Sequence, residues 1–427
     1  MLEDYFKNSN TLHDMRLGPV GPYLDEISEK LKSEHYSRGT IRSHLQSMAH
    51  LSRYLMWKGV ESVGDGIARQ IDDFLKNHLP NCNCKRTNRG TFAPAAPAMR
   101  RLLDFLKEKN IIRTAVKALA PDSIDGILAR YREYLAKIRA LAASSIVHYS
   151  YMAELFLSAR LSDNHKLELS SITGKDVMAI YETVIPMHPS FDWHRSSSSC
   201  LRDFLRFLHW ERICPENLAG IVPPVRKWKM AEVPEALTED KLTQLLRTPD
   251  RNTPLGKRDY TILVMLATLG MRASEIVNLE FKDIHWRQRT IVIPGVKTRR
   301  EREMPLPDTV FEALYDYIKN ARPQCDSKRV FLRSTAPIRG FASSPAVTTI
   351  VSRYTDKSGI DRKKHKGSHM LRHTFATLLI NRGVPLKTLS DMLGHNNLDT
   401  TRIYSKVDLH NLRKIVCEFP ECNRKDK

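Results

Sequence analysis

The 427-residue chain has no uninterrupted apolar run long enough to span a bilayer, so no membrane partner is expected. Its first residues, MLEDYFKNSN, lack the basic-then-apolar form of a secretory signal. Cysteine is scarce: seven residues, odd in number and irregularly spaced, argue against a disulfide framework and for a reducing interior. Acidic residues are short too, with 48 Asp plus Glu against 68 Lys plus Arg, a net charge of +20. The pI is near 9.6. A surplus of that size favours a polyanionic partner, because each neutralised phosphate releases counterions. What remains, 41% hydrophobic and 27% charged residues, is the composition of a soluble globular chain too long for a single ordinary core.

The patterning divides the chain into three parts. Residues 1–115 and 116–228 read as helical. They resemble each other: SRGTIRSHLQSMAHLSRYLMWKG matches ASSIVHYSYMAELFLSARLSD, and MRRLLDFLKEKNII matches CLRDFLRFLHWERI. In each, a Ser/Thr-capped amphipathic helix opens the unit and a Leu-Asp-Phe-Leu-like helix closes it, as in a divergent duplication. HLPNCNCKRTNRGTFAPAAP reads as a breaker within the first part. A Pro-punctuated basic stretch, GIVPPVRKWKMAEVPEA, leads through a linker at 229–236 into the third part, 237–410. A tail, 411–427, follows. The third part opens with Thr238 capping a helix, continues through an apolar helix ended by Gly270, and then alternates through RTIVIPGVKTRREREMPLP as a small hairpin. The fold class expected is mainly α with a small antiparallel β-sheet in the C-terminal domain.

Five stretches of this third part hold chemistry-bearing side chains at positions that packing alone would not select. In GMRASEI, Arg272 follows the helix-ending Gly270, and Glu275 lies one turn on, placed to orient the guanidinium by a bidentate contact. In SHMLRHTFATLLI, Ser368 reads as a cap, Leu371, Phe375, Leu378 and Leu379 face a core, and His369 and Arg372 share another face. The hairpin turn PGVKTRRE carries Lys297, with Arg299 and Arg300 beside it. His395 follows the helix stop Gly394, and Tyr404 comes nine positions later. Two guanidiniums can hold phosphodiester oxygens, imidazoles exchange protons near neutral pH, a lysine protonates a leaving 5′ oxygen, and a tyrosine hydroxyl attacks phosphorus.

The ordered set G-M-R-A-S-E-I, lysine hairpin, H-M-L-R-H-T-F-A-T, L-G-H and T-T-R-I-Y resembles the catalytic domain of the tyrosine recombinases, or phage integrase family, over about residues 235–410. The preceding part is similar to that family's helical, SAM-like core-binding domain. The resemblance implies that Arg272 and Arg372 clamp the scissile phosphate and that Lys297 is the general acid, with Lys282 a second lysine not far upstream. It further implies that His369 assists proton transfer, His395 hydrogen-bonds the phosphate, and Tyr404 forms a 3′-phosphotyrosyl bond. The implied protein is a site-specific recombinase acting through a Holliday junction. It needs no cofactor and neither ATP nor a metal. It is monomeric in solution and tetrameric in a synapse on double-stranded DNA, alone or with partner recombinases, in the cytoplasm at the bacterial nucleoid. The extra N-terminal part points to a mobile element. Two alternatives use similar residues: an accessory DNA-binding subunit that does not cut, and a relaxing enzyme of the type IB topoisomerase class.

Arg42, Lys227, Lys229, Arg299 and Arg300 are the expected DNA-backbone contacts. His78, Cys82 and Cys84 invite comparison with a zinc site. C-x-C is not a usual structural-zinc spacing, so no metal ligands are assigned, and the loop reads instead as a DNA contact through Lys85, Arg86 and Arg89. The tail, with Leu409, Leu412, Ile415 and Val416 at helical spacing, reads as docking on a neighbouring subunit.

Overall fold

The computed structural model describes residues 1–82, 92–112, 120, 122–160, 169–184, 186, 190–225, 236–295, 301–361, 367–394, 401 and 404. As the patterning predicts, these are mostly helices with one three-stranded antiparallel sheet. No helix among the described residues is long and apolar enough to cross a membrane. The chain forms two compact units, one of Met1–Arg113 with Glu232–Lys427 and one of Thr114–Ala231. The first contains two hydrophobic cores and the second contains one.

The first core is built by α1 (Ser9–Arg16), α2 (Leu24–Ser33), α3 (Arg38–Trp57), α4 (Ile67–Asp73) and α5 (Phe92–Glu108). Ser37 starts α3, its Oγ accepting from Thr40 N at 3.2 Å. The buried face of α3, with Ile41, Leu45, Met48 and Leu55, packs on α2 and α5. One expectation fails here: FAPAAP is helix, not a breaker, because α5 begins at Phe92 and contains Pro97. Pro94 falls in the first turn, where a missing N–H has no intrahelical partner to lose. Pro97 lies on the exposed side.

The second unit contains α6 (Ile124–Lys137), α7 (Ala143–Ala159), α8 (Gly174–Val184) and α9 (Phe191–Trp210). Here α7 packs on α9, as α3 packs on α5. The two helices matched in sequence start differently, however. No hydroxyl caps α7, whose N-cap is Ala142, so the expected Ser/Thr cap is present in one unit only.

The third core is formed by α10 (Glu239–Arg247), α11 (Pro254–Leu269), α12 (Ala273–Asn278), β1 (Ile284–His285), β2 (Thr290–Ile293), β3 (Arg302–Pro305), α13 (Asp308–Asn320), α14 (Pro345–Lys357), α15 (Gly367–Asn381) and α16 (Leu386–Leu393). Thr238 caps α10 as predicted. The helix α11 is buried nearly all round, and it is tied to α14 through Asp259, which is fully buried. Asp259 accepts from Arg258 Nη2 at 2.7 Å and Tyr354 Oη at 3.1 Å, and also pairs with Arg353. Gly270 ends α11 with φ +58°, and a Cβ there would lie 2.4 Å from Phe375 Cδ1. Only glycine allows both the left-handed turn and that ring contact. The hairpin register pairs Ile291 with Met304 and Ile293 with Arg302, which puts Arg302 on the strand beside the start of α12.

Candidate active site

Arg272 is the N-cap residue of α12, placed there by the Gly270 turn. Its Nη1 donates to Glu275 Oε1 at 2.9 Å, its backbone N to Glu275 Oε2 at 2.8 Å, and its Nη2 to Gly394 O at 3.3 Å. The bidentate contact expected between Arg272 and Glu275 goes elsewhere. Arg302, on β3, places Nη1 and Nη2 against the two carboxylate oxygens at 3.0 and 2.8 Å. Glu275 is 1% exposed. Burial alone would raise its pKa, but the Arg302 hydrogen bonds and charge, followed by Arg272, hold it below the ordinary carboxylate range.

Arg372 lies on α15 and is buried, 4% exposed, rather than on an open face. Its Nη1 donates to Gly270 O and its Nη2 to Leu393 O, each at 2.5 Å, so the left-handed ends of two helices hold this guanidinium. Burial first, then the charge of Arg272, pushes Arg372 down to about 9, still cationic at neutral pH. Two guanidiniums thus pair with one carboxylate and a third, Arg372, interacts with it through charge, and the surplus positive charge is the electrostatic signature of an anion seat.

Tyr404 is 2% exposed and belongs to the third core. The ring packs, and the hydroxyl lies 2.7 Å from His373 Nδ1. Burial raises the hydroxyl to about 12, and Arg372 acts in the opposite sense. Burial, with His369 and Arg372 nearby, depresses His373 to about 4, so its imidazole is neutral at pH 7 and can accept the phenolic proton's hydrogen bond. His369 is exposed, its ring centroid 6.4 Å from that of His373. Ser368 is not a cap: it sits inside α15, with its Oγ 3.3 Å from Thr348 Oγ1.

Arg272, Arg372 and Tyr404 therefore converge. Lys297, Arg299, Arg300, Lys227, Lys229, His395 and Cys84 lie outside the described residues, as do most of the linker at 229–236 and the tail. Lys282, the second lysine, is exposed and pairs with Glu280 Oε2 at 3.2 Å. Arg42 is exposed on α3, its guanidinium 5.3 Å from the Phe6 ring centre. Two residues at the site escaped sequence reasoning. Arg302 was hidden among the many basic residues of TRRERE, although the hairpin's alternation could have placed it. His373 sits directly after Arg372 in the same motif, where the helical spacing does not set it apart.

Comparison with known proteins agrees with this geometry. Residues 235–410 match the family model described as Phage integrase family. The Sinorhizobium fredii protein y4rA, named for an integrase/recombinase, is 33% identical over 420 residues, covering 97% of this chain and 98% of the relative. The tyrosine recombinase XerC of Oceanobacillus iheyensis is 30% identical over 290 residues, covering 66% of this chain and 92% of the relative. Among solved structures, a lambda integrase dimer bound to a COC′ core site has a TM-score of 0.51 at 18% identity. It covers 77% of this chain and 90% of that one, a likeness of fold. With matched motifs, a full-length relative and this fold together, the chain belongs to the phage integrase family and is a tyrosine recombinase, an enzyme of site-specific DNA recombination.

Proposed function

We propose that this recombinase binds double-stranded DNA and cuts it by forming a 3′-phosphotyrosyl bond at Tyr404. Strands then exchange through a Holliday junction in a tetramer at the bacterial nucleoid. The observation that carries the reading is the position of the Tyr404 hydroxyl, bonded to a neutral imidazole beside Arg372 in a site with surplus positive charge.

A scissile phosphate entering the site supplies the negative charge that the guanidiniums lack. Arg272 and Arg372 hold its non-bridging oxygens, where charge grows during transfer, so these contacts strengthen toward the transition state. Glu275 and Arg302 fix Arg272 without touching phosphate. As Tyr404 Oη bonds to phosphorus, its proton passes to a neighbouring imidazole and the bond to the 5′ oxygen breaks, with Lys297 protonating that oxygen. His369 and His395 complete the set of proton carriers and phosphate donors. A 5′ hydroxyl from a second duplex then attacks the phosphotyrosine and releases the tyrosine. One phosphodiester is exchanged for another, so no ATP or divalent ion enters the balance.

The buried, high-pKa hydroxyl is a weak nucleophile at rest. Attack therefore needs a base for the phenolic proton and the cationic surroundings that Arg372 supplies. The mobile-element role is supported by the helical part ahead of the two-domain plan and by full-length similarity to y4rA.

The test is a duplex spanning one end of the element that carries this gene, nicked near the exchange point so that cleavage cannot reverse. The wild type is expected to give a covalent protein–DNA species, and Tyr404→Phe none. Absence of the species from the wild type refutes the reading. Pairing two such sites then separates strand exchange from relaxation of a single duplex.

A further inference from the structure

We propose that the first helical part carries a zinc site formed by His50, His78 and Cys82, far in sequence from the recombination chemistry. His50 projects from the middle of α3 and is 5% exposed. The helix α4 continues into a π turn, Phe74–His78, in which Leu79 N donates to Phe74 O. This widened turn sets His78 Nε2 3.2 Å from His50 Nε2. A 3-10 turn, Leu79–Asn81, then reverses the chain and brings Cys82 Sγ to 3.3 Å from the same His50 nitrogen. All three donor atoms lie within 4.8 Å of one another.

Hydrogen bonding alone accounts poorly for this arrangement. Two neutral imidazoles facing each other through Nε2 need one of them protonated there, and the thiol then competes for the same His50 nitrogen. A metal removes the conflict, because three lone pairs converge on one ion. The two spacings at His50, 3.2 and 3.3 Å, suit it: Zn–N bonds of about 2.0–2.1 Å and a Zn–S bond of about 2.3 Å give tetrahedral edges of about 3.3 Å for N–N and about 3.6 Å for N–S. The third edge, His78 to Cys82, lies within 4.8 Å and shortens to that value as both donors close on the ion. The donor set is soft and nitrogen-rich, which selects zinc over magnesium or calcium. Aromatic rings flank the two imidazoles, with the Phe74 ring 5.1 Å from His50 and the Tyr54 ring 4.6 Å from His78, while His78 and Cys82 are half-buried. The fourth tetrahedral position is left to water or a further donor.

Binding releases the Cys82 thiol proton to solvent and joins α3 to the turn after α4. Ring packing, the Tyr54–Asp73 hydrogen bond and the Lys58–Asp73 ion pair also join these two segments of the first core. The site is thus a staple for the first helical part, and metal-binding free energy becomes folding free energy.

Cobalt(II) titration of the reduced, full-length chain tests this. The expected result is one equivalent bound per chain. It should show the intense visible bands of tetrahedral cobalt with a thiolate charge-transfer band in the near ultraviolet, and zinc should displace it. Cys82→Ser, which keeps the side chain's shape, should lose the charge-transfer band, and His50→Ala should lose tight binding. Zinc should raise the wild-type unfolding temperature but not that of Cys82→Ser. No tetrahedral spectrum in the wild type overturns the proposal, and that measurement needs no variant to fold. A spectrum unchanged in both variants overturns it as well, because the metal then sits elsewhere.

Discussion

Replacing Glu275 by glutamine changes one oxygen of a buried carboxylate to an NH2 group and leaves its shape intact. Glu275 accepts four hydrogen bonds, from Arg272 N, Arg272 Nη1, Arg302 Nη1 and Arg302 Nη2, all between 2.8 and 3.0 Å. In Glu275→Gln two of these donors face another donor, and two guanidiniums lose their shared negative charge. An unsatisfied buried donor costs about 1–3 kcal/mol, and more when charged. Breaking a buried ion pair from one side costs about 3–5 kcal/mol. The two figures describe the same loss, so about 3–5 kcal/mol is the expected destabilisation of the third core. At about 2–4 °C per kcal/mol for a domain of this size, its transition should fall by about 6–20 °C. Scanning calorimetry of the full chain measures the shift, and hydrogen exchange at the buried amides of α11 assigns it to this core. The pH dependence gives an independent check. The folded-state pKa of Glu275 is depressed, so its contribution is complete above the unfolded value of about 4.3 and is lost as pH falls through the folded one. The gap between wild type and Glu275→Gln should therefore close in acid. A loss below about 1 kcal/mol at neutral pH, the value of an exposed ion pair, would refute the reasoning.

Further outcomes follow from the same geometry. Arg272→Ala and Arg372→Ala should each slow cleavage by about 10²-fold or more while DNA binding falls far less, measured by adduct formation and gel shift on one substrate. If both quantities drop together, the residues position DNA rather than stabilise the transition state. His373→Ala should lower the rate of adduct formation by about 10²-fold, the cost of a misplaced nucleophile. His373→Gln, which keeps an acceptor for the tyrosine hydroxyl, should recover part of that rate, and equal rates for the two variants would mean that the contact does not position the tyrosine. Gly270→Ala should destabilise the third core by more than the about 1–2 kcal/mol of a left-handed backbone, because its Cβ meets the Phe375 ring. Gly59→Ala, with φ +74° and open space around it, should show the backbone cost alone in a thermal melt of the first core.

Much of the catalytic part was legible because local rules agree there. A threonine cap, an apolar run with a glycine stop and an alternating hairpin each specify their element by short-range physics, and Thr238, Gly270, Ile291 and Ile293 sit where those rules put them. The arginines were legible as types but not as environments. Nothing in the spacing of SHMLRHTF shows that Arg372 turns inward to the carbonyls of Gly270 and Leu393, because both partners come from distant sequence. Arg302 and His373 were missed for the same reason: their roles exist only once β3 meets α12 and the Tyr404 turn meets α15. FAPAAP misled because two prolines read as a break, whereas α5 admits Pro97 on its exposed side. His50 could not be joined to His78 and Cys82 from the sequence, since the π turn that aims His78 has no sequence signature.

The central claim is that Tyr404 carries the covalent link. Trapping the adduct on the nicked duplex, digesting both protein and DNA, and sequencing the residual nucleopeptide by mass spectrometry reads the bond directly. The account predicts a 3′-nucleotide phosphate on the peptide containing Tyr404. A link to another residue, or to a 5′ end, would contradict it.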